Sequence, residues 1–94
     1  MPEMTSKIRS IEEQNALKVE SIHANLETAI AFAKLALRSD DESEVIRDRQ
    51  KACEAYEEAL HFLSTAVLTP VELEAIRTKV EHLQSVLMEP GESI

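Results

Sequence analysis

With 94 residues the chain is the size of one domain, and one Gly and three Pro leave few turn-makers for a many-stranded sheet with tight hairpins. Its 18 Asp and Glu against 10 Lys and Arg give a net charge of −8, which weighs against nucleic acid as a partner because phosphate binding needs a basic face. One Tyr, two Phe and no Trp make a thin supply of stacking platforms, and the abundance of Ala, Leu, Glu, Lys, Arg and Gln favours helix.

The first helical stretch is expected over about residues 6–38, with residues 1–5 as a flexible end. Ile22, Leu26, Ala29, Ile30, Ala33, Ala36 and Leu37 fall on one side of it. At 1.5 Å per residue it runs to about 50 Å, longer than anything that follows. Its opening part, residues 6–18, has few apolar groups and is expected to project, to fray or to pack on another copy. Ser39 is read as the next N-cap, with Glu42 closing a capping box, and the second helix is expected over about residues 41–67. Its apolar side is broad: Val45, Ile46, Ala52, Cys53, Tyr56, Ala59, Leu60, Leu63, Ala66 and Val67. Thr69-Pro70-Val71-Glu72 is a stronger boundary, with a capping hydroxyl, a Pro at the first helical position and a Glu at the third. The third helix, about 70–88, carries Leu73, Ile76, Val80, Leu83 and Leu87 at three-four spacing, and residues 90–94 form a second flexible end. Short links make consecutive helices antiparallel, so the expected fold is an all-α, up-down-up three-helix bundle with a long first helix, one domain over 1–94.

Some apolar residues lie off these stripes. Phe62 points about 120° from the apolar direction of the second helix, and Phe32 and Leu35 are off the main stripe of the first. Together they are candidates for a second contact face, used in a homodimer or toward another protein. Glu54, Glu57 and Glu58 make a dense acidic patch on the outer side of the second helix and are candidates for docking a basic protein.

Catalytic chemistry has little to stand on. Two Glu-x-x-His units, Glu20 with His23 and Glu58 with His61, have the spacing that di-metal helical bundles use. Their directions are mostly outward, where four inward groups are needed, so a di-metal enzyme is a remote alternative. One Gly leaves no Gly-rich phosphate loop. Cys53 is expected to be a buried, inert thiol, and Tyr56 a core aromatic with its hydroxyl at the edge. Arg47, Arg49 and Lys51 form the densest cationic cluster, interrupted by Asp48. Arg49 points toward the apolar side and is expected to cap the end of the bundle, its guanidinium meeting a carboxylate or helix-end carbonyls. No catalytic residue, metal or cofactor is expected.

Residues 56–70, Tyr-Glu-Glu-Ala-Leu-His-Phe-Leu-Ser-Thr-Ala-Val-Leu-Thr-Pro, resemble the second helix of a tetratricopeptide repeat, with Ala59, Leu63 and Ala66 in the family's positions and Pro70 one residue ahead of its terminal Pro. The same stretch is similar to part of the three-helix microtubule-interacting-and-trafficking domain. Both resemblances imply binding of protein through a helical groove. The expected function is therefore a non-enzymatic interaction or assembly module, homodimeric or with a protein partner. The alternative is an acidic regulator of a basic protein. With a single Cys and no apolar run of membrane-spanning length, the chain reads as soluble and cytoplasmic, with neither membrane nor nucleic acid as partner.

Overall fold

The computed structural model describes residues 2–88, with side chains described from Ile11 onward. It consists of three helices: α1 (Pro2–Arg38), α2 (Glu42–Leu63) and α3 (Pro70–Met88). They run up, down and up. α1 begins at Pro2, where the missing N–H costs no helical hydrogen bond, so the backbone of residues 2–5 is already helical. The end expected over 90–94 lies outside the described residues.

α1 packs along both other helices, whereas α2 and α3 barely approach each other. Ile22, Leu26, Ala29, Ala33 and Ala36 are its buried stripe. Ala52 and Ala59 meet it from α2, and Ile76, Leu83 and Val86 from α3. Small residues on both α1 and α2 allow a close approach of their backbones. The chain extends over 65 × 24 × 15 Å. Three helices closed into a triangle at 8–10 Å spacing would be about 14 Å across in both short directions. The extra breadth fits an arrangement in which α2 and α3 flank α1 without closing on each other.

The caps are local. At the start of α2 the N-cap is Asp41 and not Ser39: its Oδ1 accepts from Ser43 N–H at 2.9 Å and from the Ser43 hydroxyl at 2.8 Å. Ser39 supports the turn instead, accepting from Asp41 N–H and donating to Glu44 Oε1. At α3 the capping box forms as expected. Glu72 N–H donates to Thr69 Oγ1 at 3.1 Å, and Thr69 N–H to Glu72 Oε1 at 3.0 Å, with Pro70 opening the helix.

α2 stops four residues before the expected end. The Ser64 hydroxyl donates to the His61 carbonyl, and the Phe62 carbonyl takes the Thr65 hydroxyl and the N–H groups of both Thr65 and Ala66, closing the helix in a tight last turn. Val67 is then captured by α1. Its N–H donates to Asn15 Oδ1 at 2.7 Å, and Asn15 Nδ2 donates to its carbonyl at 2.9 Å. One amide thus pairs both backbone groups of a linker residue.

Asp48 is the buried charged residue among those described, at 7% exposure on the α1-facing side of α2. Its carboxylate is 3.7 Å from Arg47 Nε, a loose pair.

Two outcomes are expected from this packing. Asn15→Ala removes both hydrogen bonds and lowers unfolding free energy by about 1–2 kcal/mol in urea titrations, with α2 and α3 retaining their helicity. Asp48→Ala replaces a poor helix former in a desolvated position and raises stability by about 0.5 kcal/mol in the same assay.

Candidate interaction groove

Apolar residues of α2 and α3 that read as one interior are divided between two faces. On α3, Ile76 and Leu83 pack on α1, while Leu73 is 52% exposed and Val80 and Leu87 are half-buried. Leu73 therefore departs from the core seam predicted for it. On α2, Ala52 and Ala59 are buried, while Ile46, Cys53 and Leu60 of the same broad side are exposed. Cys53 is thus an exposed thiol, not the buried one expected. The cause is the arrangement just described: α1 covers one flank of each helix, and the flank that each turns toward the other stays open.

The opening is a groove of about 510 Å³ lined by Tyr56, Leu60 and Leu63 from α2 and by Leu73, Ile76, Arg77, Val80 and Glu81 from α3. Its lining is apolar apart from two charges, and these pair with each other: Arg77 Nε lies 3.6 Å from Glu81. Arg77 also reaches Glu74 at 4.0 Å. The groove thus presents hydrophobic surface with little net charge.

Its walls are held from three places. Arg49 donates from Nη2 to the Leu87 carbonyl at 2.9 Å, so it does cap the end of the bundle by bridging α2 to the last turn of α3. The Asn15–Val67 pairing fixes the opposite end. Lys79 ties the middle of α3 to α1: Nζ donates to Glu27 Oε2 at 2.8 Å and to His23 Nδ1 at 2.9 Å. Acceptance at Nδ1 requires the proton of the neutral imidazole to sit on Nε2. The Lys79 hydrogen bond and charge hold the Glu27 carboxyl below its ordinary pKa. At the cap of α2, hydrogen bonds from the Ser43 hydroxyl and N–H lower that of Asp41 likewise.

The residues singled out from sequence are placed as follows. Phe32 and Phe62 are half-buried and packed against the core, on the flank away from the groove. Lys51 Nζ sits 5.5 Å from the Phe32 ring centroid, a cation–π contact. Leu35 is 46% exposed. The packing of the two Phe rings leaves Leu35 as the exposed apolar member of the trio. Glu54, Glu57 and Glu58 are all exposed along α2. Tyr56 is half-buried at the groove wall. Of the Glu-x-x-His units, Glu58 and His61 are exposed, Glu20 is exposed, and His23 has Nδ1 engaged by Lys79. Among the described residues no three His, Cys, Asp or Glu side chains are grouped to hold a metal ion. None of the described helices is long and apolar enough to cross a membrane. The resemblance of residues 56–70 implied a helical groove, but its lining on α3 was not foreseen; the signal for an open side was the excess breadth of the apolar side of α2, which a single helical contact does not use up.

Compared with protein-family models, with curated proteins and with solved structures, the chain matches none.

Acidification tests the central tie. A carboxyl whose folded pKa lies below its unfolded value adds stability that is fully present above the unfolded value and is lost as pH falls through the folded one. The melting temperature of the native chain should therefore fall more steeply than that of Glu27→Gln as pH drops below the ordinary carboxylate range, and the two should differ most at neutral pH.

Proposed function

We propose that this chain is a helical protein–protein interaction module that takes an amphipathic helix of a protein partner into the groove between α2 and α3. The observation that carries the reading is the open apolar strip of Leu60, Leu63, Leu73 and Val80 between two helices that share a common support. From Tyr56 to Leu63 the wall is about 10 Å long, two helical turns, which suits a partner with apolar anchors at i, i+3 or i+4, and i+7. A helix laid there would complete a four-helix arrangement and bury leucines that the isolated chain leaves in water. The resemblance of residues 56–70 to groove-forming helical families points in the same direction. The reading is non-enzymatic.

A second reading is an acidic regulator that engages a basic protein through α2. It is favoured by Glu54, Glu57 and Glu58, all exposed, which form no ion pair among the described residues. The two readings differ in salt response, since contacts between exposed charges weaken with ionic strength and apolar burial does not.

Selection from a displayed library of amphipathic helical peptides separates them. The expected result is binders with an apolar stripe, whose addition shifts the backbone amide resonances of Tyr56, Leu60, Leu63, Leu73 and Val80. Leu60→Glu combined with Leu73→Glu should weaken them at least tenfold while lowering the melting temperature only modestly, because both side chains are already about half exposed. Binders that map elsewhere, or that bind the double variant equally well, would overturn the groove. Binding abolished by moderate salt and by Gln at positions 54, 57 and 58 would favour the acidic reading.

A further inference from the structure

Between its apolar floor and the solvent the groove has two polar edges, and they differ. On α3 the charges are largely matched within the helix. Arg77 lies 3.6 Å from Glu81 and 4.0 Å from Glu74, one cation shared between two carboxylates. On α2 the edge is acidic and unmatched. Ala52 and Ala59 mark the side of α2 that faces α1, and at 100° per residue Glu57 stands on the other side of the groove residues Tyr56, Leu60 and Leu63. Glu54, one turn earlier, stands about 60° further round, and Glu58 about 100° beyond Glu57, facing away.

Nothing within α2 answers Glu57. The residues three and four away from it are Cys53, Glu54, Leu60 and His61, none of them Lys or Arg. The Lys and Arg side chains of α2 are engaged elsewhere: Arg47 beside Asp48, Arg49 on the Leu87 carbonyl, and Lys51 over the Phe32 ring on the flank away from the groove. Glu57 and Glu54 are exposed and form no ion pair among the described residues. The wider field has the same sign. From residue 40 onward, the part of the chain that supplies both walls, 13 acidic side chains stand against five basic ones.

We propose that the helix taken into the groove is cationic: an apolar stripe covers Leu60, Leu63, Leu73 and Val80, and Lys or Arg along the border facing α2 pair with Glu57 and, behind it, Glu54. This rests on the reading of the groove as a docking site and adds the charge of the partner, argued from the complementarity of that edge. A long basic side chain meets both needs of the α2 edge, because its methylene stem covers the exposed flank of Leu60 while its head reaches Glu57. The same edge discriminates. A helix with an equal apolar stripe and an acidic border would set carboxylates against Glu57 and Glu54, a repulsion that steers such partners away before contact.

A displayed library of helical peptides, with a Leu stripe held constant and the positions bordering it randomised, tests the charge separately from the groove. Selection on the native chain should enrich Lys and Arg over Asp and Glu at least threefold along one border, in peptides whose addition shifts the amide resonances of Leu60 and Leu73. Replacing the border Lys of such a binder by Gln should weaken it about fivefold at low salt, and the difference should shrink as ionic strength rises. Glu54→Gln combined with Glu57→Gln should remove that preference while leaving the Gln peptide bound as before, and Glu58→Gln should preserve it. All three side chains are exposed, and circular dichroism checks that the variants remain helical. Groove binders without a basic border, or a preference that survives the double variant, overturn the cationic partner and leave the groove standing. A library that yields no groove binder overturns both. Basic peptides that bind without moving Leu60 and Leu73 also overturn the inference, since their charge contact then lies outside the groove.

Discussion

α1 is the surface on which the rest of the structure is assembled. Its alanines, Ala29, Ala33 and Ala36, let α2 come close with its own Ala52 and Ala59, while the larger Ile22 and Leu26 belong to a core that also takes Ile76 and Leu83 of α3. Two helices that satisfy their main apolar stripes on a third have no need to satisfy them on each other. The open side between α2 and α3 follows from that geometry, and so does the exposure of Leu60 and Leu73.

An open apolar side would ordinarily favour collapse, by which α3 would slide across α1 and shield its leucines against α2. Three polar ties oppose it. Lys79 fixes the register of α3 on α1 through Glu27 and His23, Asn15 fixes where the linker crosses, and Arg49 fixes the distance of the last α3 turn from α2. Each is partly exposed and individually modest in energy. Their value is positional: they hold the walls apart before anything enters, so a ligand need not supply the cost of opening them.

Much of this was legible in the sequence where the signal is local. The capping box at Thr69 and Glu72, the helix-opening Pro70, the stripe from Ile22 to Leu37 and the end-capping role of Arg49 all follow from spacing within a few turns. What was not legible depends on a partner distant in sequence. Asn15 is an ordinary polar residue of a helix until Val67 arrives beside it. Asp48 sits on the packed side of α2, yet in sequence it is one of several acids. The exposure of Cys53 and Leu73 was hidden for another reason: a helical wheel gives the direction of an apolar face but not how many neighbours share it. A wide face can mean one broad contact or a contact and a vacancy, and only the positions of α1, α2 and α3 distinguish them. The displacement of the N-cap from Ser39 to Asp41 is smaller in kind, a competition between adjacent oxygens decided by which of them reaches Ser43.

The Asn15–Val67 pairing also bears on the order in which the molecule comes apart. α1 and α2 are joined by a short turn and pack as a hairpin of neighbouring sequence, whereas α3 depends on contacts made across more than fifty residues, such as Lys79 with His23 and Glu27. Elements held by fewer packed contacts open at lower free energy than the rest of the fold. α3 rests on α1 less extensively than α2 does, so the expected partial opening frees α3 and leaves the α1–α2 hairpin intact, and the Asn15–Val67 pairing holds the linker through which α3 would swing. Because the groove needs α3 in place, any ligand that bound there would be thermodynamically linked to that opening and would slow the exchange of α3.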